Sequence, residues 1–213
     1  MSRASILLAD DHAIVAEGLQ SLLEGTFEFV GRVSDGRALV EAAKRLSPSV
    51  IVADISMPLL NGLDAVRLLK KDGVRSKIVF LTMHSDRNLV AEAFRAGASA
   101  YVLKQSAGEE LVQAIEQILA GRTYITPLIA NDLISFLVEA GKEPPKFCVE
   151  LTTRQREVLQ LIAEGKTMKE VAFLLGISTR TAESHKYEMM QSLGVQTTAE
   201  LIRHAIKINL VSN

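Results

Sequence analysis

The sequence predicts an α/β domain built on a doubly wound, open parallel sheet, followed by a smaller all-α domain. Three observations carry that expectation. Five short β-rich runs alternate with amphipathic stretches over the first 120 residues. Three of the runs are nearly continuous in Ile, Leu, Val and Phe. From Leu151 onward the chain changes to closely spaced short helices.

The runs are ILLAD (6–10), FVGRV (29–33), SVIVAD (49–54), KIVFLT (77–82) and AYVLK (100–104). Unbroken apolar strands need cover on both faces, which parallel sheets receive from their crossover helices. Between the first two runs lies HAIVAEGLQSLLEG, with Leu19, Leu22 and Leu23 on one stripe and Gly25 as its stop. Five such β–α units imply a five-stranded sheet with right-handed crossovers. Gly121 closes the fifth helix, and residues 126–141 read as a further helix with Pro127 in its first turn. The polar, double-proline segment GKEPPKF cannot continue a helix and reads as a linker. The expected domains are 1–122, a linker helix and linker over 123–149, and 150–213.

In the last segment, TTRQ at Thr152, TMKE at Thr167 and TTAE at Thr197 each fit the [ST]-x-x-[EQ] capping box, so three helix starts are explicit. TMKEVAFLLGIS followed by TRTAESHKYEMMQSL is helix, glycine-bearing turn, helix, the helix-turn-helix pattern.

Bulk composition excludes several classes. Apolar residues are 48% and charged residues 23% of the 213, with a net charge of -1, as in ordinary globular proteins. Residues 150–213 hold 8 Lys+Arg against 7 Asp+Glu, a balance of +1, so a strongly basic nucleic-acid tail is absent. The single cysteine, Cys148, excludes an internal disulfide and fits a reducing compartment. No apolar run approaches the roughly 18 residues of a membrane span, and MSRASILLADD lacks the apolar core and cleavage site of a signal peptide. A cytoplasmic location without a membrane partner is expected.

In an open parallel sheet, ligands bind beyond the carboxyl ends of the strands. Those ends, in order, display Asp10 and Asp11, then Asp54, Thr82 and Lys104. Three carboxylates gathered there repel one another unless a cation joins them, and hard oxygen donors suit Mg2+, with Mn2+ as a substitute. A carboxylate placed like Asp54 can attack a phosphoryl group and give an aspartyl phosphate. Lys104 would then offer a point charge to a phosphoryl oxygen and Thr82 a hydroxyl donor. At any one position a solvated strand-end residue is the simpler account. For five positions in this order it is a poor one.

Residues 1–120 resemble the receiver domain of two-component response regulators, through LLADDH, VADISMPLLNGLD, LTMH and AYVLK. That resemblance implies a flavodoxin-like (βα)5 fold with Asp54 as phosphoacceptor. It implies Asp10, Asp11, Asp54 and the backbone carbonyl of Ser56 at a Mg2+ site, and Lys104 paired with the phosphoryl group. Thr82 and Tyr101 would form a switch pair, Thr82 closing toward the phosphate and Tyr101 turning inward behind it. Many receivers follow the lysine with a cis-proline; here Gln105 stands there. Met83 and His84, beside Thr82, are placed to tune phosphate lifetime.

Residues 151–210 resemble the NarL/FixJ type of output domain with its LuxR-like helix-turn-helix, through LTTRQREVLQLIAEGKTMKEVAFLLGISTRTAESH and SLGVQTTAELIRHAI. At 100° per residue, the second helix puts Ala182, Met189 and Leu193 on a packed face flanked by His185 and Lys186. Opposite lie Glu183, Ser184, Tyr187, Glu188 and Gln191, with two acids and no base. Glu183, Ser184 and Tyr187 hold the base-reading positions, and glutamate can accept from cytosine N4. Phosphate neutralisation, which supplies most non-specific affinity, falls to Lys166, Lys169, Arg180 and Lys186 and to capped helix starts. Related proteins commonly carry Asn or His near position 188, Lys at 192 and Asn at 168, where this chain has Glu188, Ser192 and Met168.

The resemblance further implies a cognate sensor histidine kinase, promoter DNA, and a homodimer through the receiver and the last helix, 198–209. Unphosphorylated, the receiver would cover the recognition helix. Leu201, Ile202, Ala205, Ile206 and Ile208 make that last helix unusually apolar. A different reading is a phosphorylation-dependent protein-interaction module whose drifted helix no longer reads DNA. A stand-alone phosphatase is disfavoured, because the D-x-D strand end of such enzymes is absent: Ile55 and Ser56 follow Asp54. The chain is therefore not expected to be an enzyme.

Overall fold

The computed structural model describes residues 3–130 and 151–211, which belong to two compact units. The first unit is a sheet flanked by helices. Its strands are β1 (Ser5–Ala9), β2 (Glu28–Val33), β3 (Val50–Asp54), β4 (Lys77–Thr82), β5 (Ala100–Leu103) and β6 (Tyr124–Ile125). Its helices are α1 (Ala13–Glu24), α2 (Gly36–Leu46), α3 (Gly62–Lys71), α4 (Arg87–Ala96) and α5 (Ala107–Leu119). The order is β2-β1-β3-β4-β5-β6, all neighbours parallel.

Each central strand is a run of β-branched and large apolar residues, and β3 is buried at every position. One layer of the core joins Ile6, Leu8, Val50, Val52, Val79, Leu81 and Val102 to Leu19, Leu23, Leu111, Ile115 and Ile118 from α1 and α5. Leu22 is only half-buried, and Gly25 ends α1 with right-handed angles (φ -63°) rather than the left-handed cap its identity suggests. The left-handed glycine cap occurs instead at Gly97, after α4, with φ 110°.

The sheet has six strands, not the expected five. Past Gly121 the chain runs beside the exposed edge of β5: Tyr124 N donates to Ser99 O at 3.2 Å and Thr126 N to Tyr101 O at 3.0 Å. This places strand structure beyond residue 122. The Thr126 hydroxyl, buried, accepts from Leu103 N (3.1 Å) and donates to Glu110 Oε2 (2.8 Å), and Tyr124 OH donates to the same carboxylate (3.0 Å). The carboxylate also raises the Tyr124 phenol to about 12, after burial and together with that hydrogen bond. A two-residue strand is too short to declare itself by alternation; tertiary hydrogen bonds define it. The expected helix over 126–141 starts at Pro127, and Ile129 N and Ala130 N both donate to Thr126 O. The rest of that helix, the GKEPPKF linker and Cys148 lie outside the described residues.

The second unit holds α6 (Thr153–Ala163), α7 (Met168–Leu175), α8 (Thr179–Leu193) and α9 (Thr198–Lys207). All three capping boxes form: Thr152 with Gln155, Thr167 with Glu170 and Thr197 with Glu200. Gly176, with φ 63°, turns the chain from α7 into α8. Val158, Leu161, Ile162, Val171, Leu175, Ala182, Met189, Leu201 and Ala205 make the core. Ile202 and Ile208 pack against it, so part of the apolar excess of α9 is absorbed within its own unit.

Thr126→Val leaves the Leu103 amide without its buried acceptor, and is expected to destabilise the first unit by about 1–3 kcal/mol in urea unfolding. Thr126→Ser keeps the bond and should lie near the native value.

Candidate functional site

Five backbone positions at one sheet edge build the first site. Ala9 ends β1, so Asp10 and Asp11 follow it out of the sheet; Asp54 ends β3 and Thr82 ends β4. Lys104 opens a single 3-10 turn directly after β5. The structure brings Asp10, Asp54 and Lys104 into contact: the Lys104 Nζ lies 2.8 Å from Asp10 Oδ2 and 2.7 Å from Asp54 Oδ2. All three side chains are at most 7% exposed.

Asp54 is oriented from its other side as well, since Ser56 N donates to its Oδ1 at 3.2 Å. Burial pushes the Asp54 carboxyl above the usual range; Lys104 opposes that, Asp10 adds to it, and the Ser56 N–H opposes it. Burial alone would lower Lys104, yet Asp54 and Asp10 raise its ammonium above the ordinary lysine value. Asp10 Oδ2 is buried without a directed hydrogen bond, so the charge of Lys104 is its compensation.

Three carboxylates against one ammonium leave two negative charges in the pocket, which suits a divalent cation. Donor atoms of Asp10, Asp11, His12 and Asp54 all lie within 4.8 Å of one another. The residues present thus fit a divalent ion of the Mg2+ kind.

Close packing holds Asp54 in place. A Cβ on Gly62 would overlap the Asp54 carbonyl oxygen, so only glycine lets α3 begin against the end of β3. Gly62 N donates to Ile55 O at 2.8 Å, and Asn61 caps the helix by accepting from Asp64 N at 2.9 Å.

Thr82 and Tyr101 meet at the backbone of one residue, His84. The Thr82 hydroxyl accepts from His84 N (3.1 Å), and Tyr101 OH donates to His84 O (2.9 Å). Tyr101 is fully buried, and that burial carries its phenol well above the usual value. His84 Nε2 also lies 3.1 Å from Ser56 Oγ, bridging the loops after β3 and β4. Met83 is 72% exposed.

The second site is the outer face of α8. Glu183, Ser184, Tyr187, Glu188 and Gln191 are all exposed, while Ala182 and Met189 are buried and His185 and Leu193 half-buried. Tyr187 is anchored by Gln191 Nε2, which donates to its hydroxyl at 2.9 Å. Ser178 caps the helix, accepting from Thr181 N at 3.0 Å. Arg180 and Lys169 are exposed and Lys166 half-buried. Lys186 differs from them. Its ammonium donates to Thr198 Oγ1 at 2.7 Å, tying α8 to α9.

Sequence reasoning missed two residues. His12, with Nδ1 2.9 Å from Asp11 Oδ1, joins the acidic cluster; adjacency in LLADDH was the available signal. Gly62 carries no signal in sequence, because its role depends on a helix and a strand end meeting.

Lys104→Ala leaves Asp10 and Asp54 buried without a counter-charge. A loss of about 3 kcal/mol is expected at neutral pH in chelator, partly recovered in millimolar Mg2+. Because the Asp54 carboxyl is raised in the folded chain, ionising it costs stability as pH climbs from the ordinary aspartate range through the raised value. In metal-free buffer, Asp54→Asn should therefore melt above the native protein at neutral pH, with the gap closing in acid.

Comparison with known proteins agrees with this arrangement. Residues 6–116 match the response regulator receiver domain, and residues 149–205 match the luxR family of bacterial regulatory proteins. The chain is 36% identical over 210 residues to the transcriptional regulatory protein MctR of Rhizobium johnstonii, covering 97% of this chain and 95% of that one. A crystal structure of a LuxR-family two-component response regulator from Aurantimonas sp. is 37% identical, with a TM-score of 0.62, over 64% of this chain and 99% of that one. RcsB of Salmonella enterica serovar Typhimurium, solved on promoter P1flhDC with the phosphomimetic BeF3-, is 26% identical with a TM-score of 0.62, over 98% of this chain and 100% of that one. The buried Asp10–Lys104–Asp54 cluster thus sits in a receiver, the capped helices form a LuxR-type domain, and the chain belongs to the response regulators of that family.

Proposed function

We propose that this chain takes a phosphoryl group on Asp54 from a sensor histidine kinase and, once phosphorylated, binds promoter DNA as a dimer to regulate transcription. The observation that carries the proposal is the Lys104 ammonium held 2.7 Å from Asp54 Oδ2, in a pocket where donor atoms of Asp10, Asp11, His12 and Asp54 lie within 4.8 Å of one another. In the transfer, an Asp54 carboxylate oxygen bonds to phosphorus as the bond from phosphorus to the donor imidazole breaks. The departing imidazole keeps that electron pair. Lys104 shifts to a phosphoryl oxygen, the negative charge it is already placed to meet. A bound Mg2+, held by Asp10, Asp11, Asp54 and the Ser56 carbonyl, would supply charge neutralisation for the phosphoryl oxygens. Thr82 offers its hydroxyl to the same group, which takes that oxygen away from His84 N. Tyr101, already inward, holds His84 O and carries the change into the loop before α4. A coupling of about 1–3 kcal/mol between the two states suffices for control of this kind.

On the output side, Glu183, Ser184 and Tyr187 are the proposed base readers, with Arg180, Lys169 and Lys166 toward phosphates. Lys186, spent on Thr198, is a weaker candidate than the sequence suggested. With so few cations, one half-site binds weakly, and pairing two of them raises the effective concentration of the second. Ile206 of α9 is half-buried and available to a dimer contact there.

Selecting DNA fragments with the full chain, with and without beryllofluoride, tests the reading. Retention of a discrete set only with beryllofluoride, lost in Asp54→Asn, is the expected result. No retention even at low salt would instead favour the protein-interaction reading, motivated by Glu183 and Glu188 on an exposed α8 face whose one exposed base is Arg180. Ser192→Lys adds a cation on the exposed side of α8 and should steepen the slope of log affinity against log salt by about one.

A further inference from the structure

A nitrogen donor stands at the rim of the acidic pocket. His12 Nδ1 lies 2.9 Å from Asp11 Oδ1 and 3.3 Å from Asp10 Oδ1. The donor atoms of Asp10, Asp11, His12 and Asp54 all fall within 4.8 Å of one another. Two donors on opposite sides of one dication, each about 2.1 Å from it, stand about 4.2 Å apart, so small side-chain rotations would bring all four onto one ion.

The backbone and ring of His12 are differently constrained. His12 N donates to Asp10 Oδ1 at 2.8 Å, which fixes the residue beside the buried acid. It occupies the N-cap position of α1, yet its side chain makes no capping bond, so the ring is not committed to the helix. At 63% side-chain exposure it can turn without breaking core packing.

Polar contact of the imidazole with the two acids explains the same distances while no metal is bound. The two accounts separate once a metal enters. Mg2+ takes oxygen ligands, so it would leave the imidazole aside. Zinc and related first-row dications take imidazole nitrogen readily.

We propose that His12 is a direct ligand of this pocket for a Zn2+-type dication, so that the site binds Mg2+ through oxygens alone and Zn2+ through an added nitrogen. The proposal rests on the reading of the pocket as a metal site, and its test is chosen to separate the two.

The probe is Co2+ alone, as a spectroscopic stand-in for Zn2+, added to the full chain. Proton NMR should show a strongly shifted, exchangeable imidazole N–H in the native chain and in His84→Ala. It should vanish in His12→Ala and His12→Gln, whose circular dichroism is expected to match the native chain. By calorimetry, Zn2+ affinity should fall about tenfold in His12→Ala while Mg2+ affinity changes less than about twofold. Co2+ binding without that resonance, its survival in His12→Ala, its loss in His84→Ala, or equal effects on Zn2+ and Mg2+ would each overturn the assignment and leave the Mg2+ reading standing. Failure of Mg2+, Zn2+ and Co2+ alike to bind would remove both.

Discussion

The rest of the first unit depends on one ammonium shared by two buried carboxylates. Lys104 lies between Asp10 and Asp54 at 2.8 and 2.7 Å, and all three are almost wholly removed from water. Without the shared cation, two like charges in a low-dielectric setting would open the sheet edge or drive one acid to protonate. With it, the pocket still carries excess negative charge, so it remains receptive to a metal and to the chemistry a metal supports. Stability and function are therefore set against each other at the same atoms. Burial raises the Asp54 carboxyl, and the same burial keeps water from competing for the phosphoryl group it is proposed to accept.

Around that cluster the packing is uncompromising where a backbone must approach closely and permissive elsewhere. Gly62 admits α3 against the Asp54 carbonyl, and Asn61 fastens the helix start. On the neighbouring strand, Thr82 and Tyr101 hold opposite sides of the His84 backbone, one as acceptor and one as donor. A change in the demand on the Thr82 hydroxyl is thus felt at a peptide that Tyr101 also grips. Beyond β5, the Thr126 hydroxyl contacts the amide of Leu103, the residue just before Lys104, so β6 borders the strand that supplies the ammonium.

The second unit solves a different problem, assembling short helices that could not stand alone. Three capping boxes set their starts, glycine turns end two of them, and a core of Val, Leu, Ile and Met joins their apolar stripes. What remains outward on α8 is mostly polar, with Glu183, Glu188 and Tyr187 beside a single exposed base, Arg180. Base reading of the kind proposed tolerates such a face, because base edges present donors as well as acceptors. Phosphate contact of the kind proposed finds few cations on such a face.

Much of this was legible from residue order. The apolar runs located β1, β3, β4 and β5 within one or two residues, because a strand covered on both faces needs continuous apolar side chains. The capping boxes located three helix starts, because their donors and acceptors are local. The strand ends put Asp10, Asp11, Asp54, Thr82 and Lys104 at a common edge, because parallel strands deliver their carboxyl ends to one side; the structure brings Asp10, Asp54 and Lys104 into contact there, while Thr82 bonds the His84 backbone. Long-range geometry decided what order could not. β6 exists through hydrogen bonds to β5, and Lys186 is committed to Thr198 although helical projection left it at the edge of the packed face. Gly62 matters through a strand it meets only in the fold, and His84 through partners on three separate loops and strands. Local patterns fix elements and display. Distances between elements, and with them partners and charge balance, are set only when the chain closes on itself.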